Sequence, residues 1–78
     1  MSELTRLRWK CRRGMKELDV LLAGYLENLY GSASPAEQGA FRALLEEQDP
    51  VLYAYVVGRD QPAGEDERRV IESLRRTP

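Results

Sequence analysis

Apolar positions in this chain recur mostly three and four residues apart, the period of a helix with one buried face. Leu4, Leu7 and Cys11, continued by Met15, predict a first helix of about three turns, with Ser2 as its candidate cap. Leu18, Leu21, Leu22, Tyr25, Leu26 and Leu29 predict a second helix from Lys16 to about Tyr30, with Gly31 as its C-terminal stop. Ser34-Pro35-Ala36-Glu37 reads as a capping box with proline at the first helical position. The third helix it opens buries Ala40, Phe41, Leu44 and Leu45 and ends near Gln48.

The run Val51-Leu52-Tyr53-Ala54-Tyr55-Val56-Val57 breaks this period. Taken alone it reads as a buried strand. Asp49-Pro50 before it reads as cap plus first helical position, and Gly58 fits the residue after a helix end. No second strand offers itself as a partner, so a lone strand would leave its backbone groups unsatisfied. A helix is the better reading, and one apolar on all sides belongs at the centre of the core, with Tyr53 and Tyr55 packed there. A polar loop over residues 59–64 precedes a last helix that starts with Glu65-Asp66-Glu67 and ends with Arg75-Arg76. Val70, Ile71 and Leu74 are its only apolar contacts, which predicts the least secure helix, fraying towards Pro78. The fold class expected is all-α, a compact bundle of about five short helices in one domain over residues 1–78.

Length limits what such a bundle can do. A chain of 78 residues buries about 60% of its unfolded surface, which leaves little room for both a core and a deep cleft. One cysteine and no histidine exclude an internal disulfide and the common zinc sites. The lone thiol suits a reducing compartment and points to a cytoplasmic protein. Its place on the first stripe assigns Cys11 to the core, with a reactive thiol beside cations as the alternative. No apolar run approaches the roughly 20 residues needed to span a bilayer, and no secretory signal opens the chain, so no membrane role is expected.

The formal net charge of −1 conceals a division. Six cations face Glu3 alone through Lys16, seven carboxylates face Arg42 alone from Glu17 to Gly58, and the tail is balanced. The basic segment Arg6–Lys16 carries Trp9, so a stacking-plus-phosphate site for nucleic acid is an alternative there. The acidic middle opposes a polyanion over much of so small a surface, and nucleic acid is not the expected partner. Trp9 lies off the apolar stripe among Arg8, Lys10 and Arg12, and reads equally as an interface anchor or as a cover for the core edge.

Catalytic chemistry finds little support. The commonest general base is missing, and the sequence has neither a phosphate-binding glycine loop nor a nucleophile elbow. Glu17 and Asp19 diverge by roughly 200° on a helix and cannot face each other as a carboxylate pair. Glu46, Glu47 and Asp49 could loosely gather a hard cation, but acids at helix ends are usually solvated. The residues therefore indicate no catalytic site and no metal, and an interaction module rather than an enzyme. Gly14 is the sharpest local signal. A glycine inside an otherwise helical pattern costs about 1 kcal/mol, so a helix end or a close backbone approach is expected there.

Around that glycine, Cys11-Arg12-Arg13-Gly14-Met15-Lys16-Glu17-Leu18-Asp19 resembles the signature of the SdhE family of succinate dehydrogenase flavinylation factors, whose core is R-G-x-x-E. Leu44-Leu45-Glu46 and Asp49-Pro50-Val51-Leu52-Tyr53 resemble a second family segment, L-L-E-x-x-D-P-x-L-F/Y. Tyr55 stands where that family commonly has Trp, and Gly58-Arg59-Asp60 replaces its N-H-G stretch. The resemblance implies a five-helix bundle that is not an enzyme and has no cofactor of its own. It implies a chaperone-like factor that promotes covalent attachment of FAD to the flavoprotein subunit of succinate dehydrogenase, and in bacteria also of fumarate reductase; a monomer is the expected state. The bond forms on a histidine of the flavoprotein, with which the lack of histidine here is consistent. The partner-binding residues implied are Arg13, Gly14 and Glu17, with Arg12, Asp19 and Trp9 beside them. Arg13 would hydrogen-bond the partner, Gly14 would admit its backbone, and Glu17 would pair with a partner cation or orient Arg13. The simpler alternative is an Arg13–Glu17 surface pair at i, i+4 of one continuous helix, which contributes about 0.3–0.5 kcal/mol. An antitoxin-type regulatory role, for which family members have also been named, is the other functional alternative.

Overall fold

In a computed structural model, residues 2–76 are described and fold into five α-helices. Helix α1 (Glu3–Lys10) opens where expected, with the Ser2 hydroxyl accepting the Thr5 N–H at 3.2 Å. It turns Leu7 and Cys11 into the core and leaves Leu4 largely exposed, and it ends after eight residues, a turn short of the length the stripe predicts. Helix α2 (Lys16–Asn28) buries Leu18, Leu22, Tyr25 and Leu26. A single 3₁₀ turn over Tyr30–Ser32 follows it and brings Tyr30 inside. Gly31 lies within that turn with no left-handed φ, so it is not the helix-terminating glycine the sequence suggests. The chain leaves α2 by tightening its coil, which needs no special residue.

Helix α3 (Pro35–Leu44) starts on Ser34, whose hydroxyl accepts the Glu37 N–H at 3.1 Å. It ends at Leu44, four residues before the predicted Gln48, and residues 45–48 form a tight turn. Helix α4 (Asp49–Val57) confirms the helical reading of the β-branched run. Its cap is Gln48, so Asp49 occupies the first helical position and its carboxylate is free for another partner. Gly58 closes α4 in the left-handed region at φ 85°, and the Arg59 N–H returns to the Ala54 carbonyl at 2.9 Å. Helix α5 (Glu65–Arg76) ends the described chain. The fraying expected at Pro78 lies outside the described residues.

The layering corrects one expectation. Helix α4, the most apolar, is not central: it buries only Leu52, leaves Tyr53 and Tyr55 partly covered, and exposes Val51 and Val57. Helix α5, with three apolar residues, instead packs against α2, α3 and α4 and buries Val70, Ile71 and Leu74 completely or nearly so. A short helix is covered on all sides only where a further layer exists, and a chain of this length has none to spare. Position in the bundle, rather than apolar content, decides how many of a helix's apolar residues are buried. At the centre, Phe41 of α3 stacks on Tyr25 at 4.6 Å between ring centroids and meets Tyr30 at 5.6 Å. The Tyr30 hydroxyl donates to Glu3 Oε1 at 2.9 Å and accepts from Arg42 Nη1 at 2.8 Å, tying the start of α1 to α3.

Candidate functional site

The link between α1 and α2, residues 11–15, is where the singled-out residues gather. Gly14 adopts φ 82°, a conformation that costs an L-residue roughly 1–2 kcal/mol. A Cβ built there meets nothing within 4 Å, so the backbone conformation alone requires glycine. The Met15 N-cap of α2 has no side-chain cap bond. Asp19 compensates from the first turn: one carboxylate oxygen accepts the Arg13 N–H at 2.8 Å and the other the Gly14 N–H at 3.2 Å. The carboxylate thus closes a loop around the helix start, where the dipole also favours negative charge.

Arg13 points inward. Its Nη1 donates to the Glu47 carbonyl at 2.6 Å and to Asp49 Oδ1 at 2.9 Å, and its Nη2 donates to the Leu45 carbonyl. The side chain is 11% exposed, and Nε is enclosed with no partner among the described residues. Arg13 therefore fastens the α1–α2 link to the α3–α4 turn. Its ion pair is with Asp49 rather than with Glu17, because the break at residues 11–15 removes the continuous helix that an i, i+4 pair would need. Glu17 lies exposed in the first turn of α2 and forms no ion pair among the described residues.

Trp9 projects from α1 at 61% exposure, with the Arg12 guanidinium carbon 5.0 Å from its ring centroid. It is not a cover for the core edge. An open groove of about 570 Å³ runs between α1 and α2, bordered by Arg8, Arg12, Gly14, Val20 and Leu26. Cys11 lies at its base, 2% exposed, and burial pushes its thiol up to about 11, outweighing the opposing Arg13 charge. A thiol so held is protonated at neutral pH and is a packing residue.

Arg13, Gly14 and Asp19 thus form one bonded unit, Arg12 and Trp9 a second contact, and Glu17 is exposed in the first turn of α2 with no ion pair among the described residues. The acids Glu46 and Asp49 are drawn to separate cations, Lys10 at 2.5 Å and Arg13. The Arg13 acceptors in the α3–α4 turn were missed from sequence. Asp49 before Pro50 reads locally as a cap, and nothing local signals a contact 36 residues away.

Comparison with known proteins places this arrangement. Residues 5–78 match the family described as the flavinator of succinate dehydrogenase. The FAD assembly factor SdhE of Coxiella burnetii is 38% identical over 69 residues, covering 88% of this chain and 84% of its own. That of Pseudomonas aeruginosa is 38% identical over 73 residues, 94% of this chain and 87% of its own. That of Vibrio cholerae is 49% identical over 57 residues, 73% of this chain and 66% of its own. With the match running from α1 to the end of the chain, and with both signature segments joined through Arg13 and Asp49, the protein belongs to the SdhE family of succinate dehydrogenase flavinators.

Proposed function

We propose that this chain is an assembly factor that promotes covalent attachment of FAD to the flavoprotein subunit of succinate dehydrogenase, and to that of fumarate reductase where one is made. The match of residues 5–78 to the flavinator family carries the reading, and the names of the relatives support it. FAD is cargo for the partner, and this chain supplies no reacting group. It works as a cytoplasmic monomer.

The docking edge comprises Gly14, Glu17, Arg12, Asp19 and Trp9, with Arg13 beneath them. Support comes from the exposure of Gly14, Glu17, Arg12 and Trp9 and from their chemistry, while the half-buried Asp19 holds the link that carries them. Glu17 is an exposed anion without a partner among the described residues, suited to a cation on the flavoprotein. Trp9 with Arg12 offers a rigid aromatic anchor of the kind that dominates interface energies. At Gly14 the missing side chain lets another backbone come close. Docking then favours the flavoprotein conformation in which the histidine and the flavin sit in attacking geometry, so the factor acts by shifting a population.

In-gel flavin fluorescence of the succinate dehydrogenase flavoprotein, in cells lacking this chain, tests the proposal. Covalent flavin should return with the wild-type chain and stay low with Glu17→Ala. Equal fluorescence with and without the wild-type chain would refute it.

A further inference from the structure

Resting on that docking reading, we propose that Arg13 and Asp49 are positioning residues: their contact holds the α1–α2 link in the one conformation that presents Gly14 and Glu17 to the flavoprotein. A guanidinium carries five N–H donors in a rigid fork. The Nη1 and Nη2 donors of Arg13 are directed at the Leu45 carbonyl, the Glu47 carbonyl and the Asp49 carboxylate, and the head is nearly enclosed. Little of it remains to meet a partner. The two carbonyls follow the end of α3, where backbone oxygens lack helical partners and a cation is favoured. Asp49 opens α4. One side chain therefore bridges the end of α3 and the start of α4.

The main chain of the same residue is held from the other side, since Asp19 of α2 binds the N–H groups of Arg13 and Gly14. The link is anchored through its side chain to α3–α4 and through its backbone to α2, with Gly14 between the anchors. Without the first anchor the link is free to spread over several conformations, and apparent affinity falls with the fraction that fits. Lysine cannot substitute, because a point charge does not reach three acceptors set out for a planar fork.

The test measures calorimetric affinity for the purified, FAD-loaded flavoprotein subunit using wild type, Arg13→Lys, Asp49→Asn and the double variant. Circular dichroism and backbone amide exchange at Arg13 and Gly14 accompany each titration. Both single variants should stay helical, exchange faster at those amides and bind roughly tenfold more weakly, the scale of one lost charged hydrogen bond. The double variant should bind no more weakly than Arg13→Lys alone, since Asp49 acts only through Arg13. Covalent flavin formation should return when either single variant is supplied at saturating concentration. Wild-type affinity in Asp49→Asn alongside weak binding in Arg13→Lys would overturn the proposal, because Arg13 would then touch the partner itself. Unchanged exchange at Gly14 in both variants would overturn it equally. A wild-type chain that does not bind the flavoprotein refutes the docking reading itself, before any variant is compared.

Discussion

Asp19 grips Gly14: its carboxylate accepts the glycine N–H at 3.2 Å from a position five residues further on, inside the next helix. The neighbouring oxygen takes the Arg13 N–H at 2.8 Å, so one side chain satisfies two amides that no helix serves. Removing it in Asp19→Ala leaves both to water and frees the link, at a cost of about 1–3 kcal/mol. For a domain of this size that is a fall in Tm of roughly 4–8 °C per kcal/mol, read by thermal circular dichroism. Asp19→Asn should fall between, since an amide can accept one of the two N–H groups and presents a donor to the other.

The glycines divide into those the backbone requires and those it does not. Gly14→Ala should destabilise by roughly 1–2 kcal/mol, the cost of a left-handed backbone for an L-residue, and Gly14→Asn by less. No steric penalty is added, since a Cβ there meets no atom within 4 Å. Gly39 lies inside α3 without a left-handed φ, and its nearest neighbour to a new Cβ is Arg42 Nη2 at an ordinary 3.6 Å. Gly39→Ala should therefore stabilise by about 0.5–1 kcal/mol. Urea midpoints for the pair should move in opposite directions.

Tyr25 is stacked on Phe41 and 1% exposed, yet its hydroxyl is buried with no hydrogen-bond partner among the described residues. An unpartnered buried hydroxyl is costly, of the order of 1–3 kcal/mol. Tyr25→Phe keeps the ring stack and removes the polar atom, so chemical denaturation should show equal or greater stability. Tyr30→Phe is the contrasting variant. Its hydroxyl bonds both Glu3 and Arg42, and its loss should lower stability by about 1 kcal/mol.

Alkaline stability should follow Cys11. Burial raises its pKa from 9.0 to about 11, so between those values the unfolded chain loses a proton that the folded chain keeps. The unfolded state then binds fewer protons, and stability falls as pH rises through that window by about 2–3 kcal/mol in all. Below pH 9 the contribution is fully present. Tyr25 and Tyr30 are shifted in the same direction, burial again leading, and extend the loss to higher pH. Denaturant midpoints in Cys11→Ala and wild type should converge as pH rises from 8 to 11. The native thiol should also react slowly with a disulfide reagent at pH 8 and rapidly once unfolded.

Local rules carried much of this protein. Helix starts at Ser2 and Ser34, the stop at Gly58 and the buried faces of α2 and α3 follow from side chains a few residues apart, whose energetics a linear reading contains. The special backbone at Gly14 was legible for the same reason, and the segments around Arg13 and Asp49 supplied the family. Three things required the assembled bundle. Helix α4 reads as central because apolar content is local, whereas enclosure depends on how many layers the whole chain can build. Asp49 reads as a cap because Pro50 follows it, and only the approach of a cation from 36 residues away gives its carboxylate another use. Arg13 reads as a hand extended to a partner, since sequence cannot show that the α3–α4 turn brings two carbonyls and a carboxylate within its reach. Local patterns place the five helices and the glycine junction, though not every helix end. Tertiary structure decided that the arginine beside that junction faces inward, because the direction of a long side chain is set by whichever acceptors the fold gathers around it.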